Sequence, residues 1–169
     1  PDYKLIGGRS TSPASRWRYD IKTISLECYS PIGAYAFYNC ENVTHVEFNN
    51  CVKNIGNNAF EGCSGISKVA LSNDTQKICS EAFKDCTSLE SVDAYYSSIT
   101  LTEISAGAFK NCGALQSVKL ATSVKYIKEN AFEGWVSLTE FDFPESIREI
   151  GKDAFKGCTD LKGFKFFGK

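Results

Sequence analysis

The chain has 169 residues, 43% of them hydrophobic and 23% charged, a composition that predicts a folded domain rather than a disordered segment. Its 19 Lys and Arg residues nearly balance its 20 Asp and Glu residues, which leaves a net charge of -1 and no basic surface for nucleic acid or an anionic membrane. No apolar run approaches the roughly 20 residues of a membrane-spanning helix, so we expect no membrane insertion within this segment.

Residues 1–20 are predicted to be an N-terminal flanking or capping segment. They are polar and rich in Gly, Ser and Arg, and they lack the apolar core of a secretory signal peptide. The sequence contains no Met. We therefore expect a mature form or a piece of a longer protein, and both readings are compatible with a signal peptide that has been removed.

An Ala-Phe pair recurs six times in residues 21–169. The spacing is 23 residues, except for 26 residues between Phe83 and Phe109, where three extra residues fall within 95–102. An Ile lies five residues before each Phe, and a Cys lies three residues after it in every unit except one, which has Trp135. The six aromatic positions are Phe37, Phe60, Phe83, Phe109, Phe132 and Phe155. A 23-residue unit cannot bury its apolar positions alone, so the pattern predicts a solenoid of stacked units.

Each unit is expected to contain one short strand and one return leg. Alternation such as Val46-x-Phe48 predicts a strand with one buried face, which pairs in parallel with its equivalents. The Ala-Phe-x-x-Cys leg is too short for a full helix, so we expect one helical or 3-10 turn there. A glycine that follows the Ile in three units predicts a turn with positive φ; these are Gly33, Gly56 and Gly151.

The I-G-x-x-A-F-x-x-C pattern and its period resemble the BspA-type leucine-rich repeat over roughly residues 21–166. The resemblance implies an α/β solenoid, with short parallel strands on one face and short helical or 3-10 turns on the return leg, in a domain of about six repeats over 21–169. Three features depart from the family pattern: Trp135, the three extra residues, and a Pro after the strand only at Pro144.

Members of that family are surface or secreted adhesion and recognition proteins of bacteria and protozoan parasites. The resemblance therefore implies an extracellular or cell-surface module that binds a protein ligand, such as a host extracellular or surface protein. Two alternatives stay open. One is a structural spacer or assembly unit that self-associates through its solenoid ends, and the other is an intracellular scaffold in the cytoplasm, whose reducing conditions suit unpaired thiols.

Five of the eight cysteines share the inward repeat position and are expected to pack as small buried hydrophobic side chains; they are Cys40, Cys63, Cys86, Cys112 and Cys158. Cys28, Cys51 and Cys79 lie outside this series. Cys28 and Cys51 fall near the same place in consecutive units, where neighbouring coils bring residues within disulfide range, although free thiols remain the alternative. Ligands placed one per coil would form a line rather than a tetrahedron, so no metal or cofactor is expected.

No catalytic residue is predicted. His45 is the only histidine, and a pair with Cys51 would lack the orienting group and the pocket that a nucleophile needs. There is no P-loop or dinucleotide-binding fingerprint. We therefore expect that the chain is not an enzyme.

Asn42 and Asn73 begin the two N-x-T sequons, which are possible glycosylation sites in a secreted eukaryotic protein. Both asparagines are expected in exposed turns. The alternative is that the triplets arise by chance.

Solenoids usually bind partners on the strand-bearing concave face. The residues expected to point outward at the middle of each strand are Ser25, Glu47, Ala70, Asp93, Lys119, Asp142 and Lys165. A second outward row is expected at Glu27, Asn49, Ser72, Tyr95, Ala121, Pro144 and Phe167. The candidate protein-binding residues are Glu47, Asp93, Tyr95, Tyr96, Lys119 and Asp142. The two tyrosines lie beside the extra residues and are either binding anchors or the cover of an irregular loop.

Overall fold

The structure is a computed structural model and describes residues 21–26, 31–48, 52–93 and 100–166. Twelve short strands follow one another in these residues, and no helix occurs among them. In chain order the strands are β1 (Thr23–Leu26), β2 (His45–Phe48), β3 (Asn54–Ile55), β4 (Lys68–Ala70), β5 (Lys77–Ile78), β6 (Ser91–Asp93), β7 (Glu103–Ile104), β8 (Ser117–Lys119), β9 (Tyr126–Ile127), β10 (Glu140–Phe143), β11 (Glu149–Ile150) and β12 (Gly163–Phe166).

The longer strands form the main face of the solenoid and confirm the predicted parallel pairing. Strands β1, β2, β4, β6 and β8 make one five-stranded sheet, and β10 pairs with β12 beyond it. Equivalent side chains of successive repeats lie in register, so one buried row runs along the five strands through Ile24, Val46, Val69, Val92 and Val118. The other side of each strand therefore faces solvent.

A second parallel sheet, which the sequence reasoning did not anticipate, runs along another side of the solenoid. It contains β3, β5, β7, β9 and β11, each of two residues. The repeating Ile of each unit sits in this sheet: Ile32 bridges to Ile55, Ile55 pairs with Ile78, and the series continues through Ile104 and Ile127. Each repeat thus contributes two strands to the stack.

The return leg is not helical, so the helical part of the expected α/β solenoid is wrong. In each leg, the residue two positions before the Phe and the residue two positions after it have φ between 55° and 80°. A right-handed helix cannot continue through residues with positive φ. The leg pairs with its neighbour instead: Phe37 N donates to Ala59 O at 2.8 Å, and Phe60 N donates to Ala82 O at 2.8 Å. The fold is therefore a parallel β-solenoid whose third side consists of hydrogen-bonded turns.

Glycine is favoured after the repeating Ile for a different reason from the one expected. Gly33, Gly56 and Gly151 are not among the residues with positive φ. A Cβ on Gly56 would lie 2.7 Å from backbone atoms of Gly33 and Ala34, and one on Gly151 would lie 2.6 Å from backbone atoms of the preceding repeat. Close approach of successive coils, and not a left-handed turn, therefore favours glycine at Gly56 and Gly151.

A column of stacked phenylalanines fills the core. The ring centroids are 5.1 Å apart for Phe37 and Phe60, 5.2 Å for Phe60 and Phe83, and 5.3 Å for Phe83 and Phe109, with nearly parallel planes. The next step, from Phe109 to Phe132, widens to 6.1 Å. These rings are almost fully buried, as the repeat pattern predicts.

The thiol series is buried as expected, and it also has a hydrogen-bonding role. The Sγ atoms of Cys63, Cys86 and Cys112 lie 3.0–3.2 Å from the carbonyl oxygen of a Phe in the preceding repeat and donate to it. Cys158 is only half-buried but makes the equivalent bond to Phe132 O at 3.3 Å. Burial raises the pKa of these thiols above its ordinary value, so they stay protonated and can donate.

Trp135 replaces the cysteine of this series without losing its bond. Its indole Nε1 donates to Phe109 O at 2.7 Å, the same acceptor position that the thiols use in the other repeats. The hydrogen-bonding role of the position is kept, while the volume of the side chain increases.

Candidate recognition surface

The solvent side of the main strands carries two exposed rows of side chains, which together we name the recognition surface. The first row contains Thr23, His45, Lys68, Ser91, Ser117 and Glu140, and the second contains Ser25, Glu47, Ala70, Asp93, Lys119, Asp142 and Lys165. Alternation along each strand places the rows on either side of the buried position between them. The surface is open and mixed in charge.

The structure places Glu47, Lys119 and Asp142 on this surface as exposed residues, and Asp93 as a partly exposed one. Tyr95 and Tyr96 lie outside the described residues, as do Cys28 and Cys51. The binding role of the tyrosines and the disulfide therefore stay predictions.

The expected second outward row is wrong at two positions. Ser72 and Ala121 are 3% and 2% exposed. The strands end one or two residues earlier, so period-2 alternation no longer applies and the chain turns inward. Ser72 is satisfied there: its Oγ donates to Val52 O at 3.1 Å and lies 3.2 Å from Thr75 Oγ1.

Three ion pairs occupy part of the recognition surface. His45 Nε2 lies 3.1 Å from Glu47 Oε1, Lys68 Nζ lies 3.1 Å from Asp93 Oδ2, and Lys165 pairs with Glu140. The hydrogen bond that Lys165 donates to Glu140 raises the pKa of Lys165. Water and salt screen exposed pairs of this kind, so they are weak enough to exchange partners when a ligand binds.

Lys119 and Asp142, by contrast, belong to none of the ion pairs among the described residues, although each faces an opposite charge in register, Asp93 and Lys165 respectively, and the charge of Asp142 helps to raise the pKa of Lys165. They occupy equivalent positions in adjacent repeats, on β8 and β10. Both charges are exposed and available to groups of opposite sign on another molecule.

The two sequon asparagines differ in their surroundings. Asn42 is exposed, as expected. Asn73 is half-buried, its Oδ1 is buried without a hydrogen bond to the described residues, and Thr75 of the same sequon is fully buried with its hydroxyl bonded to Val52 O at 3.1 Å. The expectation of an exposed turn is wrong for Asn73, because its sequon folds into the turn between β4 and β5.

A set of charged side chains on the return legs joins successive repeats and was missed in the sequence reasoning. Lys84 Nζ lies 2.9 Å from Glu61 and 3.6 Å from Glu81, and Lys110 Nζ lies 2.9 Å from Glu133. The hydrogen bond to Glu61 raises the pKa of Lys84. Opposite charges one repeat apart, in the residues after Phe60 and Phe83 and in those after Phe109 and Phe132, were the available signal. These pairs align neighbouring repeats away from the recognition surface.

The described residues contain no group of three or more His, Cys, Asp or Glu side chains that could hold a metal ion. His45 contacts Glu47, and Cys51, its imagined catalytic partner, lies outside the described residues. Among the residues that are described, no helix is long and apolar enough to cross a membrane.

Two parallel sheets, a buried aromatic column and an open charged face define a solenoid repeat protein. The sequence matches the model of the BspA type leucine rich repeat region in six copies, over residues 18–103 and 95–169. The chain therefore belongs to the BspA-type leucine-rich repeat family. No protein with a curated function is similar enough in sequence to be matched.

Solved bacterial structures share this fold. A leucine rich cell surface protein from Faecalibacterium prausnitzii is 29% identical with a TM-score of 0.76, over 94% of this chain and 42% of that protein. The leucine rich repeat protein of T. pallidum is 27% identical with a TM-score of 0.79, over 85% of this chain and 69% of that protein. The chain thus spans less than half the length of the first of these proteins.

Proposed function

We propose that the chain is a non-catalytic module that binds a protein ligand through its recognition surface, at the cell surface or outside the cell. The observation that carries this proposal is the exposed parallel face, on which Lys119 and Asp142 make no salt bridge that would have to break before a partner binds. The similarity to a bacterial leucine rich cell surface protein supports a location at the cell surface. A host extracellular or surface protein is the ligand class that fits.

Reversing the charges of Lys119 and Asp142 is the direct test. Saturable binding to a panel of purified matrix and cell-surface proteins is measured first by surface plasmon resonance. For a ligand that binds, Lys119→Glu and Asp142→Lys are expected to weaken affinity by about tenfold or more, because charges matched to a partner then repel it.

Lys152→Glu is the matched control, since Lys152 is exposed on a return leg, away from the recognition surface. It should bind like the parent chain. The proposal is refuted if no protein of the panel binds saturably, or if Lys152→Glu weakens binding as much as Lys119→Glu does.

Two chemical modifications remain part of the proposal. Asn42 suits a glycan better than Asn73, because its side chain is exposed and the second sequon is partly buried. A bridge between Cys28 and Cys51 would fit an oxidising compartment. Mass spectrometry under non-reducing conditions decides both.

A structural role is the second candidate function, and the last described repeat favours it. Ile150, Phe164 and Phe166 are 43%, 47% and 68% exposed, whereas Ile24 and Phe37 of the first described repeat are buried. Apolar side chains of this size that remain exposed together mark an association surface. A further repeat of the same kind or a second copy of the chain is the partner that fits, because either would present the face that neighbouring repeats use to stack.

Self-association is expected to raise the mass measured by light scattering as the protein concentration increases. Phe166→Asp should return the chain to a monomer, because it places a charge in the apolar contact. Val136→Asp is the control, since Val136 is 46% exposed but lies in another repeat. A monomer at every concentration for the parent chain would contradict the assembly role.

A further inference from the structure

The main sheet is interrupted between β8 and β10, at a place that we name the seam. Every other pair of neighbouring main strands is hydrogen-bonded, but these two are not, although they are adjacent. Leu71 N donates to Asp93 O at 3.0 Å between β4 and β6, and the equivalent bond from Leu120 to Asp142 is missing. Val118 and Leu120 at the seam are also slightly more exposed than Val69 and Leu71.

The seam opens on one side of the solenoid only. On the second sheet the same two repeats stay paired, with Tyr126 opposite Glu149 and Ile127 opposite Ile150. The return legs that lead into β8 and β10 also remain joined, since Phe109 N donates to Ala131 O at 3.0 Å. The coils are therefore spread on the main face while they stay in contact elsewhere.

Trp135 lies in the core beside the seam. Its ring is fully buried and contacts Phe109 and Phe132 edge-on, with centroids 6.2 Å and 4.6 Å away. The Phe109–Phe132 step is the one that widens to 6.1 Å, against 5.1–5.3 Å for the three steps before it. Those steps have a cysteine at the position of Trp135, and their main strands pair.

Phe141 is the other side chain that is larger than its equivalents, but it packs in the opposite direction. Its ring contacts Phe132, on the return leg that leads into its own strand, at 5.3 Å, and Phe143 and Phe155 at 4.8 Å each; none of these rings belongs to the preceding coil, which Trp135 reaches through Phe109. Trp135 is the residue placed between the two coils that separate.

We propose that Trp135 is a wedge that holds the seam open and so divides the recognition surface into two blocks, one ending at Lys119 and the other beginning at Glu140. Lys119 and Asp142 then stand on opposite sides of the seam, and the volume of Trp135 sets the distance between them. Trp135 is a positioning residue: it touches no ligand, but it decides which spacing of charges a ligand must match. The role of Trp135 in setting the charge spacing for a ligand rests on the proposed binding function, whereas the opening of the seam by Trp135 does not.

Hydrogen exchange of single backbone amides, followed by NMR without any ligand, tests the wedge. In the parent chain the Leu120 amide is expected to exchange at least about tenfold faster than the Leu71 amide. Trp135→Cys restores the residue of the other repeats and should slow Leu120 by about tenfold or more, with Leu71 unchanged as the internal control for the fold.

Two further variants separate the causes. Trp135→Phe keeps a large ring but removes the indole donor, so Leu120 should remain fast. Phe141→Val restores the small residue of the other repeats on β10 and should also leave Leu120 fast.

The proposal is overturned if Leu120 and Leu71 exchange at equal rates in the parent chain, or if Phe141→Val closes the seam. It is also overturned if Trp135→Cys leaves Leu120 fast, or if Trp135→Phe slows Leu120 as much as Trp135→Cys does. If Trp135→Cys does not fold, the parent chain and Phe141→Val still decide whether the seam exists and whether Phe141 causes it. Because no ligand is present, failure of the binding proposal leaves this outcome unaffected.

Discussion

Phe83→Ala is expected to lower the free energy of unfolding by about 3–5 kcal/mol, the cost of removing a fully buried aromatic ring. Phe83 stacks on Phe60 and on Phe109, at 5.2 Å and 5.3 Å, and it is 0% exposed. Its loss leaves a cavity in the middle of the column, and neighbouring coils, held by backbone pairing on three sides, cannot collapse into it. A loss of this size is a large fraction of the stability of an ordinary domain, which is about 5–15 kcal/mol.

Urea unfolding followed by circular dichroism measures this change. Phe166→Ala is the matched control, since the same type of side chain is 68% exposed there and its removal should change stability by less than about 0.5 kcal/mol. Equal effects of the two substitutions would show that the column does not form the core of the solenoid.

Stability is expected to fall steeply above pH 9. Burial raises the pKa of Cys63, Cys86 and Cys112 in the folded chain, whereas their thiols ionise near the ordinary value of 9.0 when the chain unfolds. Above that pH the unfolded state has lost protons that the folded state retains, so the free energy of unfolding decreases as pH rises. Each thiol contributes about 1.4 kcal/mol per pH unit once it is fully ionised in the unfolded state, or about 4 kcal/mol for the three.

Urea unfolding at pH 7, 9 and 10, in the presence of a reductant, measures this slope. Cys112→Ser keeps a donor for Phe83 O but removes one of the four thiols whose pKa is raised, so its slope should be shallower by about one quarter to one third. Loss of the ion pair of Lys84 also lowers stability at higher pH. The pKa of Lys84 is raised above its ordinary value of 10.5 in the folded chain, so the stability that it contributes is present below pH 10.5 and is lost above it. A stability that does not change between pH 7 and 10 would contradict the role of the buried thiols.

The period of the sequence was enough to predict the stack, because every repeat must offer the same buried positions to its neighbour. The Phe column, the Ile row and the parallel main strands all follow from that requirement. The second sheet could not be predicted in the same way, since strands of two residues, such as Asn54–Ile55, are too short to show alternation.

The return leg was predicted wrongly, although a signal was present. Asn, Asp or Gly occupies every position two residues after the Phe, and these are the residues that accept a left-handed backbone most readily. Tyr35 and Glu81 adopt the same conformation two residues before the Phe, and nothing in their residue types predicts this.

The recognition surface was predictable only where alternation continues. Glu47, Lys119 and Asp142 lie inside strands and point outward, as expected, while Ser72 and Ala121 follow the strand ends and are buried. The role of Trp135 could not be read from the sequence at all. Only the three-dimensional arrangement shows that its Nε1 reaches Phe109 O and that its ring lies beside the unpaired strands.

Each hydrogen bond from a cysteine or tryptophan to the preceding Phe joins two adjacent repeats only. The ion pairs of the return legs do the same. Among the described residues, none of these bonds and ion pairs spans more than one step, so the stack has no long-range brace against mechanical load. Under tension it should unwind one repeat at a time, each releasing 23 residues and about 80 Å of chain. Such a module would lengthen under load in discrete steps. The repeats that have not yet unwound would keep their part of the recognition surface intact.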